Sequence, residues 1–171
     1  MFPEGQPQVD AVDVDSVSSE PPPQEALAWI PVTGSAMRRC GVDFDAVRVK
    51  GLLGQETYNG LTALNGPDCG AVIYTQRSDG YHFLVPPGAA ASVRWPPGVW
   101  AGTSSRHGAQ EQYIVVPALR GDTGSARWIS RPGDSLFVDA QQLQSLLCRI
   151  TGWCPRTDDR PTKPSQRGGA S

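Results

Sequence analysis

The sequence has few of the residues and segments that would assign a function directly. It holds two histidines, two lysines (Lys50 and Lys163) and no run of about 18 apolar residues, the length that a membrane-spanning helix requires. Residues 1–23 lack the basic and apolar regions of a secretory signal, so we expect a cytoplasmic protein. Its four cysteines should then be reduced thiols, and none belongs to a Cys-x-x-Cys pair. We therefore expect no metal, no other cofactor and no membrane partner.

Motifs and charge of the kinds that mark nucleotide-binding proteins are also absent. Neither Gly-x-x-x-x-Gly-Lys-Ser/Thr nor Gly-x-Gly-x-x-Gly occurs, which excludes the common phosphate-binding loops. The net charge of −2 argues against a protein that coats nucleic acid by charge alone.

The composition predicts a folded centre between two tails. Hydrophobic residues make up 39% and charged residues 19% of the 171 residues, and both fractions are low for a chain that folds throughout. Residues 1–24 contain acidic side chains but no lysine or arginine. Residues 155–171 are rich in proline, glycine and arginine. We expect these two segments to be disordered tails and residues 27–152 to form a single domain.

Short runs of apolar and β-branched residues predict five strands, over 43–49, 70–75, 81–85, 112–117 and 126–130. The turn QRSDG (76–80) should join the second and third strands as a hairpin, and ALRGDTGS (118–125) should join the last two. Helical spacing predicts one helix over 52–66 and a second over 140–153, begun by Asp139 as N-cap. The predicted fold class is α+β, with a mainly antiparallel sheet of about five strands and two helices.

Four segments around and after His82 resemble the C-terminal half of a bifunctional DNA primase/polymerase (Prim-Pol) domain of the archaeo-eukaryotic primase superfamily. They are TQRSDGYHFLVPPG (75–88), PPGVWAG (96–102), QYIVVPAL (112–119) and ARWIS (126–130). The resemblance covers about 55 residues, under a third of the chain. The chain is also similar to short actinobacterial proteins of uncharacterised function, through DAVRV (45–49), GAV (70–72) and the PPG segment.

The Prim-Pol resemblance implies that His82 contacts nucleotide phosphates. It also implies three metal-binding acids, of which one falls at Trp100, a residue that has no oxygen with which to coordinate a metal ion. The other two would be Asp43 and Asp45, but these come before their strand, whereas the family's pair comes at a strand's end. Polymerisation needs two metal ions held by converging carboxylates, so we expect a catalytically silent chain.

We therefore predict a non-catalytic, Prim-Pol-like accessory or interaction module with weak binding of nucleotide or single-stranded nucleic acid. Aromatic rings would stack on bases and arginines would contact phosphates. The candidate contacts are His82, Arg77, Arg94, Trp95, Trp100, Arg127 and Trp128.

Three alternatives remain open. His82 could instead be a packed strand residue with a backbone partner, and the tryptophans could belong to the core. A nucleotidyl-transferring, primase/polymerase-type enzyme would require Asp43, Asp45 and Asp79 to converge near His82. A regulatory protein that binds protein partners through its tails is the third alternative.

Overall fold

A computed structural model of the chain describes residues 27–104, 110–121 and 123–155. Seven strands and three helices follow one another along the chain. The strands are β1 (Ser35–Arg39), β2 (Asp45–Lys50), β3 (Val72–Thr75), β4 (Gly80–Val85), β5 (Trp100–Gly102), β6 (Tyr113–Pro117) and β7 (Ala126–Ser130). The helices are α1 (Gly51–Asn65), α2 (Ala89–Ser92) and α3 (Ala140–Thr151).

The strands form two antiparallel sheets. Five strands pair in the order β5-β2-β4-β3-β7, so that β4 is central and β5 and β7 are the edges. The remaining two, β1 and β6, pair with each other over five residues. The predicted α+β class with a mainly antiparallel sheet of about five strands is confirmed.

Alternation along β2 sends apolar side chains to both faces of the five-stranded sheet. Val47 and Val49 join one apolar cluster with α1 and α3, which we call the helix-side core. Phe44 and Ala46 join a second cluster with Trp29, Cys40 and the apolar residues of β6, which we call the strand-side core. The five-stranded sheet therefore has a packed layer on each face, since successive side chains of a strand point in opposite directions.

The two predicted helices are confirmed, and their ends lie within two residues of the predicted ones. The Asp139 side chain accepts a hydrogen bond of 2.7 Å from the backbone N–H of Gln142 and so caps α3. Helix α1 ends at Gly66, whose φ of 76° suits a glycine. Gly54 lets α1 approach the sheet, because a Cβ there would overlap with the ring of Tyr81.

Some sequence-based predictions were wrong or incomplete. Residues 118–125 do not form a hairpin loop, because β6 pairs with β1 and β7 pairs with β3. Two strands, β1 and β5, and the four-residue helix α2 were not predicted. The predicted tails lie outside the described residues, apart from Pro155.

The edge strand β7 carries an irregularity. Its register with β3 pairs Ser130 with Val72 and Trp128 with Ile73, so Ile129 is the extra residue of a β-bulge. The carbonyl of Ile129 accepts a hydrogen bond of 2.9 Å from the hydroxyl of Tyr58 on α1.

Candidate nucleic-acid interface

His82 lies in the central strand β4, opposite Arg48 on β2 and Ile73 on β3. Its side chain is 6% exposed, which leaves little surface for a phosphate. Burial, together with the charge of Arg48, lowers the pKa of His82 to about 4, so the imidazole is neutral at pH 7. The imidazole Nδ1 is buried and finds no hydrogen-bond partner among the described residues, although a packed histidine was expected to have one in the backbone.

Trp100 and Trp128 lie at the two ends of the cross-strand row that contains His82. The guanidinium of Arg48 stacks over the Trp100 ring, 5.0 Å from its centroid. The Trp128 indole N–H donates a hydrogen bond of 3.0 Å to the carbonyl of Pro117 on β6. Both rings are half-buried and pack against the strand-side core.

Trp95 lies on the other side of the sheet. Its ring packs against the helix-side core, and its indole N–H donates a hydrogen bond of 2.8 Å to the carbonyl of Ala90. The backbone carbonyl of the neighbouring Arg94 accepts a hydrogen bond from the side chain of Gln144 on α3. The structure therefore separates Trp95 from Trp100 and Trp128.

Two of the seven predicted contacts, Arg77 and Arg127, lie close to the turn end of the β3–β4 hairpin. Arg127 is opposite Tyr74 in the register, and its guanidinium lies over the Tyr74 ring, 5.2 Å from the centroid. Arg77 belongs to the 3₁₀ turn Gln76–Ser78 that joins β3 to β4. The backbone of this turn meets the start of β7, where the N–H of Gln76 donates to the carbonyl of Ser125.

We call this region the hairpin-end surface. A pocket of about 220 Å³ opens there and is lined mainly by polar residues. The surface consists of Tyr74, Gln76, Arg77, Ser125 and Arg127.

The two arginines of the hairpin-end surface form no ion pair with the residues that the structure describes, although one carboxylate lies beside Tyr74. Arg77 and Arg127 are both exposed, and neither forms an ion pair with any residue in the described part of the chain. Asp79, the nearest acid along the chain, accepts a hydrogen bond of 3.0 Å from the Tyr74 hydroxyl. That hydrogen bond is the main reason why the pKa of Tyr74 is raised.

The carboxylates expected for a polymerase-type site do not converge. Asp45 pairs with Val85 at one end of β4, and Asp79 precedes Gly80 at the other end. At about 3.3 Å per strand residue, roughly 20 Å separates these two ends. Across residues 27–104, 110–121 and 123–155, no three histidine, cysteine, aspartate or glutamate side chains are grouped so that they could hold a metal ion.

Asp45 is fully buried beside the start of α2. Its Oδ2 accepts a hydrogen bond of 3.1 Å from the backbone N–H of Ala90, while Oδ1 has no partner within the described residues. Burial raises the pKa of Asp45, and hydrogen bonding from Thr103 and from the backbone of Ala90 and Gly88 limits the rise. The nearby Cys40 thiol has its pKa raised to about 11 by burial and by the charge of Asp45, so it is a poor nucleophile.

A groove of about 840 Å³ runs between the end of β7 and the C-terminal half of α1. It is larger than the pocket of the hairpin-end surface, but Asp68 and Asp134 lie in its wall together with Arg131. Two carboxylates and one guanidinium give the groove a net negative charge, which disfavours the binding of a polyanion.

Comparisons of the chain with protein-family models, with curated proteins and with solved structures found no match. Of the helices in the described residues, none is both long and apolar enough to cross a bilayer.

Sequence reasoning missed Tyr74 and Arg48. Tyr74 was counted only as part of a strand, although its position next to the QRSDG turn places it at the hairpin end. The distribution of charge along the chain was a second available signal. Residues 1–26 carry six acidic side chains and no lysine or arginine, so residues 27–171 hold 15 basic and 11 acidic side chains.

Proposed function

We propose that this protein is a non-catalytic, Prim-Pol-like interaction module that binds single-stranded nucleic acid or nucleotide in the cytoplasm. The proposed contact is the hairpin-end surface. The ligand class follows from the resemblance of residues 75–130 to Prim-Pol domains and from the chemistry of this surface.

The observation that carries the proposal is the stacking of Arg127 over Tyr74 beside the exposed Arg77. Stacking on an aromatic ring holds the guanidinium plane in place while its N–H groups remain available for phosphate oxygens. Two exposed arginines, one of them held on a half-buried tyrosine, supply the phosphate contacts of a single-strand binding site, and the outer face of the stacked guanidinium is a platform for a base.

The positions of the acids support a binding role without catalysis. Metal-dependent nucleotidyl transfer requires carboxylates that hold two cations a few ångströms apart. Asp45 and Asp79 lie at opposite ends of β4, and the third expected position is Trp100, which stacks on Arg48.

The proposal is tested by fluorescence anisotropy of a labelled oligothymidylate of about 20 nucleotides, titrated with the protein between 50 and 200 mM salt. We expect affinity in the micromolar range that falls as salt rises, because binding releases counterions. The variants Arg77→Gln and Arg127→Gln should each weaken binding and each reduce the slope of log K against log salt by about 1.

Arg149→Gln is the matched control. This residue is exposed in the last turn of α3 and loses the same charge, so it should leave both the affinity and the slope almost unchanged. Binding that ignores salt, or an equal loss in the control, would contradict the proposed surface. Extension of a primed template by the purified protein with Mg²⁺ and deoxynucleotides would contradict the non-catalytic role.

A further inference from the structure

The charge of the chain is divided between two parts. Residues 1–26 contain Glu4, Asp10, Asp13, Asp15, Glu20 and Glu25 and no basic side chain. Residues 27–171 therefore carry a net charge of +4, from 15 basic against 11 acidic side chains. Residues 27–155 carry +2 of this excess, from 11 basic against 9 acidic side chains, and residues 156–171 carry the other +2. The overall charge of −2 thus conceals a mildly positive domain joined to an acidic segment of −6, and such parts attract each other at low ionic strength.

The first described residues fix where the acidic segment leaves the body. Trp29 is buried against Phe44, with ring centroids 4.9 Å apart, and meets the ring of Trp128 edge-on at 6.2 Å. The carbonyl of Trp29 also accepts a hydrogen bond of 2.6 Å from the Arg38 side chain. The chain is thus anchored beside β7 at Trp128, the residue that follows Arg127.

The acidic residues can reach the hairpin-end surface from this anchor. Trp128 and Arg127 point to opposite faces of the sheet, since they are neighbours in β7. Because β7 is an edge strand, a segment can pass around it from one face to the other. Glu20 precedes Leu27 by seven residues, which can span up to roughly 25 Å when extended. A tethered segment also acts at a high effective concentration, so even weak contacts compete well with a free ligand.

We propose that residues 1–26 bind the hairpin-end surface through their carboxylates and compete there with nucleic acid. This inference rests on the proposed function, because the carboxylates would occupy the same arginines as the phosphates. Rising ionic strength would weaken both contacts. Because the segment is tethered, the ligands that displace it best would be those that place several phosphates on the surface at once.

The test compares two full-length variants of equal net charge. One carries Asp15→Asn, Glu20→Gln and Glu25→Gln in the acidic segment. The control carries Asp43→Asn, Glu111→Gln and Asp134→Asn, three exposed acids away from the hairpin-end surface. At 50 mM salt we expect the first variant to bind oligothymidylate about 5- to 10-fold more tightly than the natural sequence, and the control at most about 2-fold.

A measurement without nucleic acid separates this inference from the proposed function. In ¹H–¹⁵N correlation spectra at low salt, the amides of Tyr74, Arg77 and Arg127 should shift between the natural sequence and the first variant. High salt should remove most of the difference. Shifted amides in a protein that binds no oligonucleotide would support the intramolecular contact and overturn the proposed function. Unshifted amides, or equal tightening in both variants, would overturn the competition.

Discussion

At the residue scale, His82 shows what burial does to a titratable group. It lies between Arg48 and Ile73 in the central strand, and its Nδ1 has no partner among the described residues. A charged imidazole would lose its hydration and face a guanidinium, so the folded state holds His82 neutral. The histidine that the resemblance would assign to phosphate contact is therefore closed to an anion in this structure.

We expect acid to destabilise the protein through His82. The unfolded chain binds a proton near the ordinary pKa of 6.5, whereas the folded protein binds it only near the pKa of about 4. The free energy of unfolding should therefore fall as the pH drops through this range, by up to about 3 kcal/mol. Urea unfolding between pH 7 and pH 4, compared with His82→Leu, measures this contribution. If the two proteins differ in their free energy of unfolding by the same amount at every pH, His82 does not make this contribution.

At the scale of elements, α2 depends on a strand that is distant in sequence. Asp45 on β2 accepts the hydrogen bond from the Ala90 N–H, and removing this acceptor would leave a buried donor unsatisfied. We expect Asp45→Ala to be less stable than Asp45→Asn by about 1–3 kcal/mol, because the asparagine keeps an acceptor at this position. Urea unfolding at pH 7 makes the comparison, and equal stabilities would mean that Asp45 does not hold α2.

The elements that could be predicted are those with a local pattern. Periodicity and capping residues identified β2 to β4, β6, β7, α1 and α3. Strand β1 has no apolar alternation, because Ser35, Met37 and Arg39 are exposed on its outer side, and only its pairing with β6 makes it a strand. Partners distant in sequence leave no local signal, which is why 118–125 was wrongly predicted to be a hairpin loop. The same limit applies to the site, since the stack of Arg127 on Tyr74 depends on the pairing of β7 with β3.

At the scale of the whole molecule, the two apolar cores share the five-stranded sheet. Residues of β2, β3 and β4 contribute side chains to both cores, so neither core can lose its packing without disturbing the other. We expect one cooperative unfolding transition. Far-ultraviolet circular dichroism and tryptophan fluorescence should give the same urea midpoint. An earlier fluorescence transition would show that the β1–β6 layer separates first, because Trp29 and Trp128 lie in the core between this layer and the five-stranded sheet.

The bulge at Ile129 bears on how copies of this protein meet. An exposed sheet edge is a template on which another chain can add a strand, and long flat edges lead to aggregation. Here one edge, β5, is three residues long, and the other is interrupted where the Tyr58 hydroxyl already occupies the Ile129 carbonyl. An incoming strand would find this acceptor taken and the spacing broken. The feature that disturbs the regularity of the sheet thus also disfavours the addition of a strand from another copy at this edge.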